Sequence, residues 1–154
     1  GNDSNGVSSG HVRVYYMEKD ELSWKQLGQD IDGEAAYDSS GFSVSLSADG
    51  KTLAIGALHN DGNGRSSGHV RVYYMEGAGT GSSWKQLGQG IAGEAANDNS
   101  GISVDLSADG KILAIGAPYN DGNGADSGQV RVYYMEDDEP SWRQLGQDID
   151  GEAA

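Results

Sequence analysis

The residues in this chain of 154 with the clearest chemical capacity are hard oxygen donors set two apart. Asp61 and Asn63 stand in "NDGNG" at residues 60–64, Asp121 and Asn123 in its copy at 120–124, and Asp3 and Asn5 in "NDSNG" at 2–6. Alternating Asp and Asn is how a calcium loop begins, because oxygens on alternate residues can turn toward one ion. The next alternate positions hold Arg65 and Ala125, and no Glu closes the loop. The same letters also make turns with no ion, since Asn, Asp and Gly accept positive φ and hydrogen-bond their own backbone. Two readings follow, a turn with no cofactor and a calcium loop, and the incomplete ligand set favours the turn. Asn2-Asp3-Ser4 is in addition the single N-x-S/T sequon, which makes Asn2 the acceptor for a glycan if the chain is made in a eukaryotic secretory pathway.

Catalytic combinations are missing. His11 and His69 share a repeat position that becomes Gln129, and His59 becomes Tyr119, whereas a general base does not tolerate such exchanges. No Ser/His/Asp order recurs, so the chain reads as a non-enzyme, with Asp38 and Asp98 the only repeated acids worth testing. Trp24, Trp84 and Trp142 can stack on sugar rings, but one Trp at a fixed place per repeat is the mark of packing. Arg13, Arg71 and Arg131 lie between valines, where a charge needs a partner; Glu34, Glu94 or an Asp of the "GEAAYD" linker supplies one, giving structural latches between units. The acidic runs "EKDE" and "EDDE" have no counterpart in the middle copy, which reads "EGAGTGSS", and are assigned to solvated turns.

Composition sets the limits around these residues. With 24 acidic against 10 basic residues the net charge is −14, which repels nucleic acid and anionic membrane and attracts cations. There is no cysteine, hence no disulfide framework and no thiolate site. No run approaches the roughly 20 apolar residues of a membrane helix, so membrane insertion is not expected. Gly at 25 residues against 2 Pro and 1 Phe implies many tight turns between short elements.

These elements repeat. "VRVYYME" begins at Val12, Val70 and Val130; Trp24, Trp84 and Trp142 follow; "GEAA" begins at Gly33, Gly93 and Gly151. A period near 60 residues predicts an array, and the two extra residues between Met75 and Trp84 mark a loop, where length changes cost little. Within a unit, "SGFSVSLS" and "KTLAIGA" flank an Asp-Gly turn and read as strands A and B of a hairpin. "HVRVYYME" is rich in β-branched and aromatic residues and reads as strand C; "SWKQLGQ" reads as strand D. Ten strands in the order CD, ABCD, ABCD result. The fold class is therefore all-β, a β-propeller-like array of four-stranded antiparallel blades, two complete and one half. The chain is read as one repeat domain over 1–154: a half unit at 1–32, full units at 33–92 and 93–150, and the start of another at 151–154.

"SGFSVSLSADGKTLAIGA", "SGISVDLSADGKILAIGAP" and "SGHVRVY" resemble FG-GAP repeats, the blade unit of integrin-alpha-type β-propellers. Ser40-Gly41-Phe42 and Ser100-Gly101-Ile102 hold the place of the family's aromatic-glycine pair; Gly56-Ala57-Leu58 and Gly116-Ala117-Pro118 hold that of its Gly-Ala-Pro. The resemblance implies a propeller, usually seven-bladed, in a secreted or cell-surface protein that adheres or scaffolds. Some such blades bind calcium through a DxDxDG loop, where this chain has only "SADGK". The expectation is a non-enzymatic extracellular module that associates with further copies of itself or with adjacent repeats in a ring or filament. The alternative is a calcium- or glycan-binding lectin-like module using the "NDGNG" loops, and a glycan or protein ligand is the further partner considered.

Overall fold

The structure, a computed structural model, describes residues 4–77, 81–138 and 140–152. They form strands joined by turns, without an α-helix. In chain order the strands are β1 (His11–Val12), β2 (Tyr15–Glu18), β3 (Ser23–Gln26), β4 (Ile31–Asp32), β5 (Ser43–Leu46), β6 (Thr52–Ala57) and β7 (His69–Glu76), followed by β8 (Ser83–Gln86), β9 (Ile91–Ala92), β10 (Ser103–Leu106), β11 (Ile112–Ala117), β12 (Gln129–Glu136), β13 (Ser141–Gln144) and β14 (Ile149–Asp150). All named strand pairs are antiparallel. One blade runs β5-β6-β7-β8 with β9 on β7; the next runs β10-β11-β12-β13 with β14 on β12. The half unit has only the pairs β1-β4 and β2-β3.

Fourteen described strands replace the ten expected. Strand D breaks in every unit: after Gln86 the chain bulges, Gly88 at φ 72° turns it, and Leu87 N–H donates to the Val72 carbonyl at 2.8 Å. Ladder pairing then resumes at β9, opposite His69 and Val70. An eight-residue strand C thus carries two short partners on one edge, a split that strand propensity does not reveal because a bulge adds residues without changing composition. In the half unit strand C is broken as well, into β1 and β2, and no described strand pairs with it on the side where β6 lines β7.

The A–B turn explains its own sequence. Ser47 Oγ accepts from Thr52 N–H at 2.9 Å and donates to Asp49 at 2.7 Å, while Asp49 accepts Lys51 N–H at 3.0 Å. These bonds hold the Asp49 carboxyl below the ordinary carboxylate range, and the Ser107–Asp109–Lys111 turn does the same to Asp109. Gly50, at φ 70°, closes the turn.

Side chains alternate faces along each strand, and both faces of a blade are covered. Leu53, Ile55, Tyr73 and Trp84 pack with Ile31 of the half unit, together with Val12, Val14 and Leu27. Ala54, Val70, Val72 and Ile91 face the other way, onto Leu106, Leu113, Ile115, Tyr133 and Trp142 of the following blade. The core therefore lies between units and not within one. Strand A shows the consequence: Leu106 on β10 is 8% exposed, whereas Leu46 on β5, which has no strand A before it, is 45% exposed.

Blades approach closely at a glycine. A Cβ on Gly56 would overlap the Gly101 carbonyl oxygen of the next blade, to which Ser43 Oγ donates at 2.7 Å. A Cβ on Gly116 would press only on the movable Ser103 hydroxyl of its own blade, with the nearest backbone atom at 4.0 Å. Gly56→Ala is expected to cost about 2–3 kcal/mol in urea unfolding, through overpacking against backbone that cannot move, and Gly116→Ala less than about 1 kcal/mol. Equal costs would show that the blade contact at Gly56 is loose.

Candidate functional site

The recurring site of this chain is the seam between units, built around Trp. Trp84 opens β8 beside Ser83 and turns its indole back across the seam, where Nε1–H donates to the Leu27 carbonyl at 2.9 Å. Gln29 brackets the Trp84 backbone: its Oε1 accepts Trp84 N–H at 3.0 Å and its Nε2 donates to the Trp84 carbonyl at 2.8 Å. A side-chain amide does here what a neighbouring strand would do. The next seam repeats the pattern, with Trp142 Nε1–H on the Leu87 carbonyl at 3.0 Å and Gln89 at 3.0 and 2.6 Å from the Trp142 backbone. Trp84 and Trp142 are 2% and 3% exposed; Trp24, which meets no "LGQ" among the described residues, is 67% exposed.

Arginine crosses the same seams on strand C. Arg71 Nη2–H donates to the Asp32 carbonyl at 3.0 Å, and Nη1 lies 3.7 Å from Glu34. Arg131 does likewise with the Ala92 carbonyl at 3.0 Å and Glu94 at 3.6 Å. Each guanidinium also stands over a tyrosine of its own strand, Tyr73 at 5.6 Å and Tyr133 at 5.8 Å. Arg13 turns instead to Asp30 at 2.8 Å within the half unit, and that pair holds the Asp30 carboxyl below its ordinary range. His69 Nδ1 is 3.1 Å from Glu34 Oε2, the place taken one unit later by Gln129 Nε2, which donates to Glu94 at 3.1 Å. Burial pushes the His69 imidazole down from its ordinary 6.5, against the opposing pull of Glu34.

The "NDGNG" loops are closed on themselves and on the linker. Asn60 Oδ1 accepts Gly62 N–H at 2.9 Å, and Asp61 Oδ1 accepts Ser66 N–H at 2.7 Å. Asn63 Nδ2 donates to the carbonyls of Gly93 and Glu94 at 2.9 and 2.8 Å. Asn120, Asp121 and Asn123 make the corresponding bonds to Gly122, Asp126 and Gly151. Asn5 Nδ2 donates to the Gly33 carbonyl at 2.8 Å. The loops thus staple strand-B exits to the "GEAA" linkers. Asn2 and Asp3 lie outside the described residues. Among the described residues no three His, Asp or Glu gather in metal-binding geometry. Asp38 and Asp98, both buried, accept from Asn60 and Asn120 at 2.9 Å and from the Ala35 and Ala95 amides. They anchor the linker.

Gln29 and Gln89 are the seam residues that sequence reasoning passed over. Their signal was the triplet "LGQ", which recurs at residues 27–29, 87–89 and 145–147. Assigned to the end of strand D, this Gln carried no role until the neighbouring unit stood beside it.

Four-stranded sheets stacked face to face, with apolar cores between them and a repeated Trp-Gln latch, define a β-propeller-like blade array. Residues 31–73 and 92–133 match the family model of the FG-GAP repeat, more than half of the chain. The chain belongs to the FG-GAP repeat family. No curated protein matches it in sequence.

Two predictions follow from the seam chemistry. Trp84→Ala is expected to cost about 3–5 kcal/mol in denaturant unfolding, and Trp24→Ala less than about 1 kcal/mol, since only the first removes a buried ring. His69 has a lowered folded pKa, so the unfolded chain binds a proton first as pH falls. Stability should therefore be full above about 6.5 and decline as pH drops below it toward the folded value. His69→Gln, which copies Gln129, should flatten that part of the profile of melting temperature against pH.

Proposed function

We propose that the chain is a non-enzymatic, extracellular structural or adhesive module whose blades associate with further copies of the same repeat. The observation that carries this reading is that each seam joins two unlike faces, a Trp face and an "LGQ" face, and that near-identical copies of both recur from unit to unit. On the half unit, Trp24, Tyr15, Tyr16 and Met17 are exposed at 67%, 47%, 44% and 39%. On the last unit, Leu145 and Ile149 are exposed at 50% and 58%. Beside them is a groove of about 420 Å³ lined by Ile102, Gly116, Pro118, Val130 and Ile149. The first face carries the Trp that fits an "LGQ" receiver, and the second carries the receiver, Leu145-Gly146-Gln147. A head-to-tail contact of this type propagates into rings or filaments according to whether its rotation closes.

The extracellular setting and the adhesive role rest on the family's usual surroundings and on a net charge of −14, which opposes binding to nucleic acid and anionic membrane. No helix among the described residues is long and apolar enough to cross a membrane. Near-identical blades present one surface at regular intervals, which suits multivalent contact.

Sedimentation velocity tests the assembly. Wild type should grow in mass with concentration, and both Trp24→Arg and Leu145→Asp should be monomers, because each spoils one half of the contact at an exposed position. Mixed together, the two variants restore a single junction and should give a dimer and nothing larger. A wild-type chain that stays monomeric throughout rules out association between copies through this seam.

A further inference from the structure

A second groove, of about 570 Å³, is formed by the linker at 36–39 and the loop at 59–66 of the first full unit, with Ser8 of the half unit beside them. Its volume is in the range of small-molecule sites, about 300–1,000 Å³. Tyr37, His59, Asp61 and Arg65 supply its functional groups, with Ser8 and Ser66 at the rim.

Two of these residues are unexplained by folding. Tyr37 has a left-handed backbone, φ 70°, pinned by its N–H on the Val7 carbonyl at 2.8 Å, and the residue is 65% exposed. A bulky aromatic is disfavoured in this region. The same position one unit later holds Asn97 at φ 72°, bonded in the same way to the Arg65 carbonyl, and Asn tolerates that conformation well. An exposed ring retained in a strained place, where it fills no core, points to a role at the surface. Arg65 is the second case. Of the five arginines, Arg13, Arg71, Arg131 and Arg143 are each ion-paired with Asp30, Glu34, Glu94 and Glu136; among the described residues Arg65 is not. In a chain of net charge −14 a guanidinium without a carboxylate is conspicuous.

We propose that this groove binds an acidic saccharide, one whose sugar ring carries a carboxylate. The Tyr37 ring stacks on the C–H face of the pyranose, an aromatic platform with one wet edge. Arg65 takes the carboxylate in a two-pronged contact, and His59, whose Nδ1 is held 3.5 Å from Asn99 Nδ2, lies at the same groove. Asp61 keeps Oδ1 on the Ser66 amide and offers its other oxygen to a sugar hydroxyl. A simple anion would leave Tyr37 without a purpose, and a neutral sugar would leave Arg65 without one. The corresponding positions of the next unit are Asn97, Tyr119, Asp121 and Ala125, which lack both the ring at the strained position and the cation. The site therefore belongs to the first groove alone of these two. The inference is independent of assembly through the Trp seam, since none of its residues lies on either exposed seam face.

The natural differences between units supply the test, because Tyr37→Asn and Arg65→Ala copy residues that the same fold already holds. Isothermal titration of the whole chain with trigalacturonate and with a glucuronate-containing hyaluronan tetrasaccharide should show binding by at least one. Each variant should weaken that binding roughly tenfold or more. Tyr37→Asn should melt no lower than wild type, which separates loss of the site from loss of the fold. Neutral galactotriose and acetate should bind far more weakly. The proposal is overturned if neither acidic saccharide binds, if the variants bind as wild type does, or if galactotriose or acetate does equally well.

Discussion

A four-stranded blade with apolar residues on both faces cannot be stable alone, and everything else in this structure answers that constraint. Strands B and C alternate Leu53, Ile55 and Tyr73 to one side with Ala54, Val70 and Val72 to the other, and each set finds its partners in a different unit. Burial of apolar surface is the dominant favourable force in folding, so the stabilising contacts of each blade are held jointly with its neighbours. The close approach at Gly56 follows, because cores shared between sheets require the backbones to come near each other at the inner strands.

Shared cores also bring polar backbone groups out of water at the seams, where strands of different sheets do not form ladders. Trp84 and Trp142 illustrate the solution: the indole satisfies a carbonyl of the preceding unit, and a glutamine from that unit satisfies the Trp backbone in return. Arg71 and Arg131 treat the carbonyls of Asp32 and Ala92 in the same manner and stay partly screened by tyrosine rings. These bonds add directionality to contacts that apolar packing alone would leave free to slide. They explain why the units repeat so closely at these positions and drift at others, such as the loop between strands C and D.

The drift is informative in its own right. Positions that differ between units without structural cost separate what the blade needs from what the surface can use. His69 and Gln129 fill one role by the same bond to a glutamate, so the exchange is structurally neutral. Tyr37 against Asn97 is different, since the exchange places the less suitable residue at a left-handed position. Identical scaffolds in one chain act as internal controls, and an aromatic residue that departs from the favoured choice marks a candidate for recognition.

Much of this was legible in the one-dimensional pattern. The 60-residue period, the Asp-Gly hairpins and the β-branched strand C specified four-stranded units and an all-β array, because strand and turn preferences are local and were written twice for the hairpin and three times for strand C. The break of strand D at Gly88 was not legible, since a bulge depends on which residues of the partner strand remain unpaired. Nor was the difference between Trp24 and its two copies: the letters around all three are alike, and only the presence of a preceding unit decides between 67% and 2% exposure. The Gln29 latch likewise joins residues from separate units, and the groove brings Tyr37 and Arg65 of one unit together beside Ser8 of the half unit; no spacing along the chain measures such a distance. Local preference set the blades, whereas burial and pairing between blades, which are long-range, set which side chains are spare and what they can hold.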